Sequence, residues 1–218
     1  MKLFVSIVSA AVLLMVAMTP AHAHEKGDKI FRAGVGVVAP DNPVFSDSDD
    51  DIAIDVDDGT SLTLTGLYML SDNWGFEILA SWPFSHDVSL GTVSPGSADV
   101  KFAETKHLPP TFSMQYHFLP SGKLQPYAGL GLNYTTFFDT NVDENIVGSS
   151  VDLDLDDSFG FAAQLGADVI LNDKWMLNFD FRYINIETDA TLTDGSDVTT
   201  TKLEINPWVY SVNIGFKF

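Results

Sequence analysis

The chain closes on WVYSVNIGFKF, where Trp208, Tyr210, Val212, Ile214, Phe216 and Phe218 share one parity and Val209, Ser211, Asn213, Gly215 and Lys217 the other. A period of two puts the two sets on opposite faces of a strand. Eleven residues is also the length a tilted strand needs to cross a bilayer. Seven earlier segments repeat the pattern, with apolar parities running from Phe31 to Val37, Leu62 to Leu70, Trp74 to Trp82, Phe112 to Phe118, Ala128 to Tyr134, Phe159 to Val169 and Trp175 to Tyr183. None of these parities carries a charge, and Trp74, Trp82, Trp175, Trp208 and Phe218 gather at segment ends, as an interfacial girdle requires. The pattern predicts an all-β, eight-stranded antiparallel transmembrane barrel.

A soluble lipocalin-like barrel would carry the same alternation with the apolar parity turned inward. Two features oppose it. The other parity is rich in glycine (34, 36, 75, 129, 131, 160, 166 and 215), which suits a crowded interior better than a solvated face. The connections also alternate: short at 71–73, 119–126 and 172–174, long at about 39–60, 85–108, 139–157 and 187–201. Short periplasmic turns and long extracellular loops mark an outer-membrane barrel with both termini in the periplasm.

The first 23 residues fit that compartment. Lys2 precedes the apolar run LFVSIVSAAVLLMVAM, and AHA at 21–23 has small residues at its first and last positions. This reads as a secretory signal peptide cleaved after Ala23, which predicts 24–218 as the barrel. Eleven basic side chains against thirty acidic ones give a formal charge of −19, which disfavours nucleic acid. There is no cysteine, hence no disulfide or thiolate metal site.

HLPPTF (107–112), PYAGLGLNYTTFFD (126–139), NDKWMLNFDFRYINIET (172–188) and the closing PWVYSVNIGFKF resemble the OmpW family of outer-membrane proteins, and the likeness runs from RAGVGVVAP to Phe218. The resemblance implies an eight-stranded barrel whose hydrophobic interior passes small apolar molecules, with no cofactor. A terminal aromatic such as Phe218, shared by many outer-membrane barrels, implies recognition by the barrel-assembly machinery. Lipid and lipopolysaccharide are the partners expected around the wall. The acidic loops depart from the family pattern.

Read by height, the inner parity first carries Arg32, Glu77, His117, Asp168, Asp180, Arg182 and Lys217, a polar plug that blocks a straight aqueous pore. Toward the outer end it turns apolar, with Leu79, Pro83, Phe137, Ile184, Ile186 and Val209, either as a small core closing the mouth or as a pocket open to the outside. A ligand stopped by the plug would leave sideways into the bilayer. Pro83, Pro109 and Pro110 near the outer ends of the third and fourth barrel strands give a possible lateral gate, because proline cannot donate to a ladder. The alternative is a structural or adhesion barrel whose loops are a docking surface without transport. Catalysis is not expected: there is no G-x-S-x-G, and Ser113 and His117 stand four residues apart on one face, roughly 13 Å along a strand.

Segment 47–59, DSDDDIAIDVDDG, places Asp47, Asp49, Asp51, Asp55 and Asp58 at the spacing of a calcium loop. Ile52 stands where the turn requires glycine, and strands rather than helices flank it. With SVDLDLDD at 150–157 it reads instead as strand extensions beyond the membrane. Positions 41–58 and 139–157 hold fifteen of the thirty acids, an acidic rim at the mouth that favours neutral apolar visitors.

Overall fold

The computed structural model describes residues 24–47, 52–92, 100–119, 121–147 and 151–218. The leader over 1–23 lies outside the described residues, as do Asp49 and Asp51 of the candidate calcium loop. In chain order the strands are β1 (Lys29–Ala39), β2 (Phe45–Asp47), β3 (Ile52–Val56), β4 (Gly59–Met69) and β5 (Trp74–Ser81). Next come β6 (Phe84–Gly91), β7 (Val100–Leu108), β8 (Thr111–His117) and β9 (Leu124–Val142), then the short helix α1 (Glu144–Val147). The last are β10 (Val151–Leu155), β11 (Ser158–Ile170), β12 (Trp175–Ile184), β13 (Glu187–Asp194), β14 (Asp197–Glu204) and β15 (Trp208–Lys217).

Eight of these close on themselves in the order β1, β4, β5, β8, β9, β11, β12, β15 and back to β1, every pair antiparallel. They are the eight strands that the alternation predicts. Closure gives each of the eight a strand neighbour on both sides, which is what a strand structure inside lipid requires. The expected faces are also those observed: Leu62, Leu130, Phe159 and Ile214 are exposed on the outside, while Arg32, Glu77, Gln115 and Asp168 are buried within. Aromatic girdles ring the wall at two heights. Trp175 meets Phe216 and Phe216 meets Phe218 at the short-turn end, and Phe181 stacks on Trp208 at 4.6 Å near the long-loop end.

The long connections hold more strand than the alternation suggests. β9 continues past its barrel partners, and its outer half pairs with β7. From there β6, β3 and β2 follow in one sheet over the mouth. A second sheet joins β10, β13 and β14. The β6–β7 hairpin is hard to read from period two because its register shifts between Val88 and Ser89, which reverses the parity midway. The prolines near the outer ends of the third and fourth barrel strands lie just outside them: Pro83 follows the end of β5, and Pro109 and Pro110 precede β8, since the ladder ends where a backbone donor is missing.

Candidate functional site

Close packing starts at the floor of the lumen. Ile30, Leu67, Met69, Ile170 and Met176 form a small apolar cluster at the short-turn end. The segment before β1 folds up beneath them, tied by Gly27 N–H to the Met69 carbonyl (2.8 Å), and His24 is buried. Lys217 sits at this level on Asp28, 3.2 Å away. Nothing in the alternation pointed to this floor, because those five residues are isolated apolar positions on a mostly polar parity.

Above the floor the remaining six residues of the expected plug meet in one network. Arg32 Nη1 donates to Glu77 Oε2 (2.8 Å) and Nη2 to Asp168 Oδ2 (2.6 Å). Arg182 Nη2 donates to Glu77 Oε1 (2.7 Å), and its Nε lies 3.3 Å from Asp180 Oδ1. Since β5 and β12 stand opposite each other in the strand order, the Glu77–Arg182 bond crosses the barrel. Tyr127 donates to Asp180 (2.8 Å), Asn178 to Asp168 (2.9 Å), and Asn213 to Asn178 (2.9 Å). His117 Nε2 faces Gln115 Oε1 at 3.2 Å. The network is possible only because glycine faces it. A Cβ on Gly166 would come within 2.3 Å of the Tyr127 ring, so alanine there has no room. An enclosed cavity beside Thr65, Glu77, Arg182 and Asn213 offers about 10 Å³ to the centre of a water molecule, room for one at most.

Toward the outer end the lining turns apolar. Ile184, Ile186 and Val209 are buried in one cluster with Val38, Phe84 and Leu203. Phe137 packs against it, Leu79 is buried on the wall of the small cavity below, and Pro83 is half-buried between β5 and β6. Wider clefts lie elsewhere, on the outer wall between lipid-facing side chains such as Leu130, Leu165 and Phe181.

At the edge of the apolar cluster the wall is interrupted. The β5–β8 ladder ends at Leu79 opposite Thr111, and the β6–β7 ladder begins at Phe84 opposite His107. Between them Ala80–Pro83 faces Leu108–Pro110 with no ladder pairing, at the height of Trp82, which is 71% exposed. The three prolines of the expected gate therefore border one gap.

Above that gap, beyond the membrane, His86 and His107 stack at 4.8 Å, and the Phe84 ring lies against both, 5.6 Å from His107 and 6.4 Å from His86. Both imidazoles are buried; His86 Nδ1 lies 2.6 Å from the Asp57 carbonyl. A Cβ on Gly59 would meet the His86 ring at 2.5 Å, so that glycine admits it. Burial pushes His107 down to about 3, helped by the nearby His86, and burial lowers His86 against the pull of Asp57, Asp58 and Asp87. The folded cap thus holds both rings neutral, while an opened cap lets them bind protons near their ordinary value of 6.5. Its stability is complete above that value and falls as pH drops through it toward 3. At about pH 4.5 the His107 contribution alone is on the order of 2 kcal/mol. Limited proteolysis of the intact barrel should cut the outer loops faster at about pH 4.5 than at 7.5, and His107→Phe should flatten that dependence.

Of the calcium-loop residues that are described, Asp55 lies half-buried on β3, paired through its backbone with Ser89, and Asp58 is exposed. β3 and β10 occupy the two acidic strand-like segments expected beyond the membrane.

The OmpW family model matches residues 25–218. Outer membrane protein W of Vibrio cholerae serotype O1 is 44% identical over 98% of this chain and 99% of its own length. Outer membrane protein W of Escherichia coli K12 is 36% identical over 91% and 92%. The crystal structure of the outer membrane protein OprG from Pseudomonas aeruginosa is 36% identical and superposes with a TM-score of 0.83, covering 91% of this chain and 99% of that one.

Proposed function

The chain belongs to the OmpW family of outer-membrane β-barrel proteins, and from that premise we propose that it takes up small apolar molecules at its extracellular mouth and releases them sideways into the outer membrane. The observation that carries this reading is the unpaired stretch of wall between Leu79 and Phe84 on one side and Thr111 and His107 on the other. It lies beside the apolar cluster and above a lumen filled with ion pairs, so the easiest exit for an apolar solute is lateral. Neutral apolar solutes fit the entrance as well, since an acidic rim repels anions. The cap opens to admit them, and lipid or lipopolysaccharide acyl chains receive them at the height of Trp82.

Stapling both margins of the gap tests the route. Cysteines at the lipid-facing pair Ile78 and Phe112, with a second pair at Ser85 and Lys106, are opposite one another in register. Oxidation should reduce entry of an apolar fluorescent dye into cells at least about tenfold, and reduction should restore it, because gating by a moving segment is lost when that segment is locked. Full uptake by the oxidised protein rules the lateral gate out. If the unstapled protein gives no more uptake than cells lacking it, the barrel is instead a docking surface without transport.

A further inference from the structure

We propose that the floor of the lumen is a binding site for one divalent transition ion, held by Nδ1 of His24 and Nδ1 of His117. One ligand atom from each of His24, His117 and Asp168 lies within 4.8 Å of the other two, and all three residues are buried. The hydrogen bonds indicate which nitrogen of each ring is left open to an ion. His24 Nε2 lies 2.9 Å from Asp168 Oδ2, a carboxylate that only accepts, so Nε2 carries the proton. His117 Nε2 faces the Gln115 carbonyl oxygen at 3.2 Å and donates likewise. Each ring is left with a bare lone pair on Nδ1, and both Nδ1 atoms are buried without a partner. An imidazole whose other N–H is held by a carboxylate or carbonyl is the arrangement found at metal sites, where that bond orients the ring and raises its basicity.

The ring geometry fits. The two imidazoles lie with centres 5.0 Å apart and planes at 90°. Two rings sharing one tetrahedral ion at about 2.0 Å per nitrogen have their centres about 5 Å apart. Charge points the same way. Among the described residues the arginines that pair with Glu77, Asp168 and Asp180 in the lumen are Arg32 and Arg182, so three carboxyl groups meet two guanidiniums there, an environment that suits a cation. Cleavage after Ala23, the junction expected from the leader, would add the His24 amino group, which with Nδ1 of the same residue closes a six-membered chelate. A nitrogen-rich set of this kind prefers late first-row ions, copper(II) above zinc. The ion would pin the segment before β1 to the end of β8 and so brace the closed periplasmic floor.

The test is titration of the full mature barrel in detergent micelles with copper(II), followed by electron paramagnetic resonance, and with zinc(II), followed by thermal unfolding. The expected result is one tightly held copper per barrel, nitrogen hyperfine structure in its spectrum, and a higher unfolding temperature with either ion. His24→Ala and His117→Gln should each weaken the ion at least about tenfold and remove the thermal shift. Retained heat-modifiable migration in gels shows that each variant is folded. His86→Phe, far from the floor, should leave binding unchanged. Absence of a stoichiometric nitrogen-bound ion in the unaltered barrel overturns the site. So does affinity that both floor variants preserve, which would place the ion on the acidic loops.

Discussion

Arg182→Met should destabilise the barrel by about 3–5 kcal/mol, because it removes one partner of a buried charge set and leaves the others uncompensated. Arg182 is 1% exposed and bridges Glu77, on the opposite wall, to Asp180 on its own strand. Without it three carboxylates share the single guanidinium of Arg32, and the small cavity beside Glu77 and Asp180 holds one water at most to solvate the surplus. Glu77→Gln makes the opposite change. It keeps the shape and an acceptor oxygen for one arginine while bringing the network to two charges of each sign, so its cost should be less than half that of Arg182→Met. Urea unfolding in lipid vesicles, followed by tryptophan fluorescence and gel migration, gives both values. Equal costs would mean that the bonds crossing the barrel matter and the charge balance does not.

The wall was legible because lipid and lumen impose opposite demands on alternate residues. From Phe159 to Val169 every odd position is apolar or small, and the structure pairs that whole run with β9 and its part from Ala162 onward with β12. The inward placement of the charges was legible for the same reason, since a charge such as Asp168 or Arg182 on a membrane strand has only the inside to face. The network among them was not. That Glu77 reaches Arg182 across the barrel depends on strand stagger, which no single segment encodes. The cap was half legible. β3 and β10 stood out by their aspartates, but β6 and β7 alternate around a bulge and bury two histidines where an apolar parity would show aliphatics. The floor was least legible, because His24 lies before the first strand and meets His117 only after the chain has closed.

Ile184→Asp should lower uptake of apolar compounds at least about tenfold while the barrel stays closed. Ile184 is the last residue of β12 and 1% exposed among the aliphatic side chains of the cap. A carboxylate there is set among aliphatic side chains, and desolvating it costs several kcal/mol, so it draws water into the apolar part of the lumen above the plug. An apolar solute then has to displace that water and loses the advantage that the cluster gave it. The wall below is unaffected, because Trp175–Tyr183 pairs with β15 and Met176–Tyr183 with β11, and gel migration should match the parent protein. Ile184→Val keeps the site apolar and should retain most of the uptake. If Ile184→Asp takes up the dye as fast as the parent, the solute does not pass through the cluster, and the gap beside Pro83 and Pro109 must be reached from the outer wall instead.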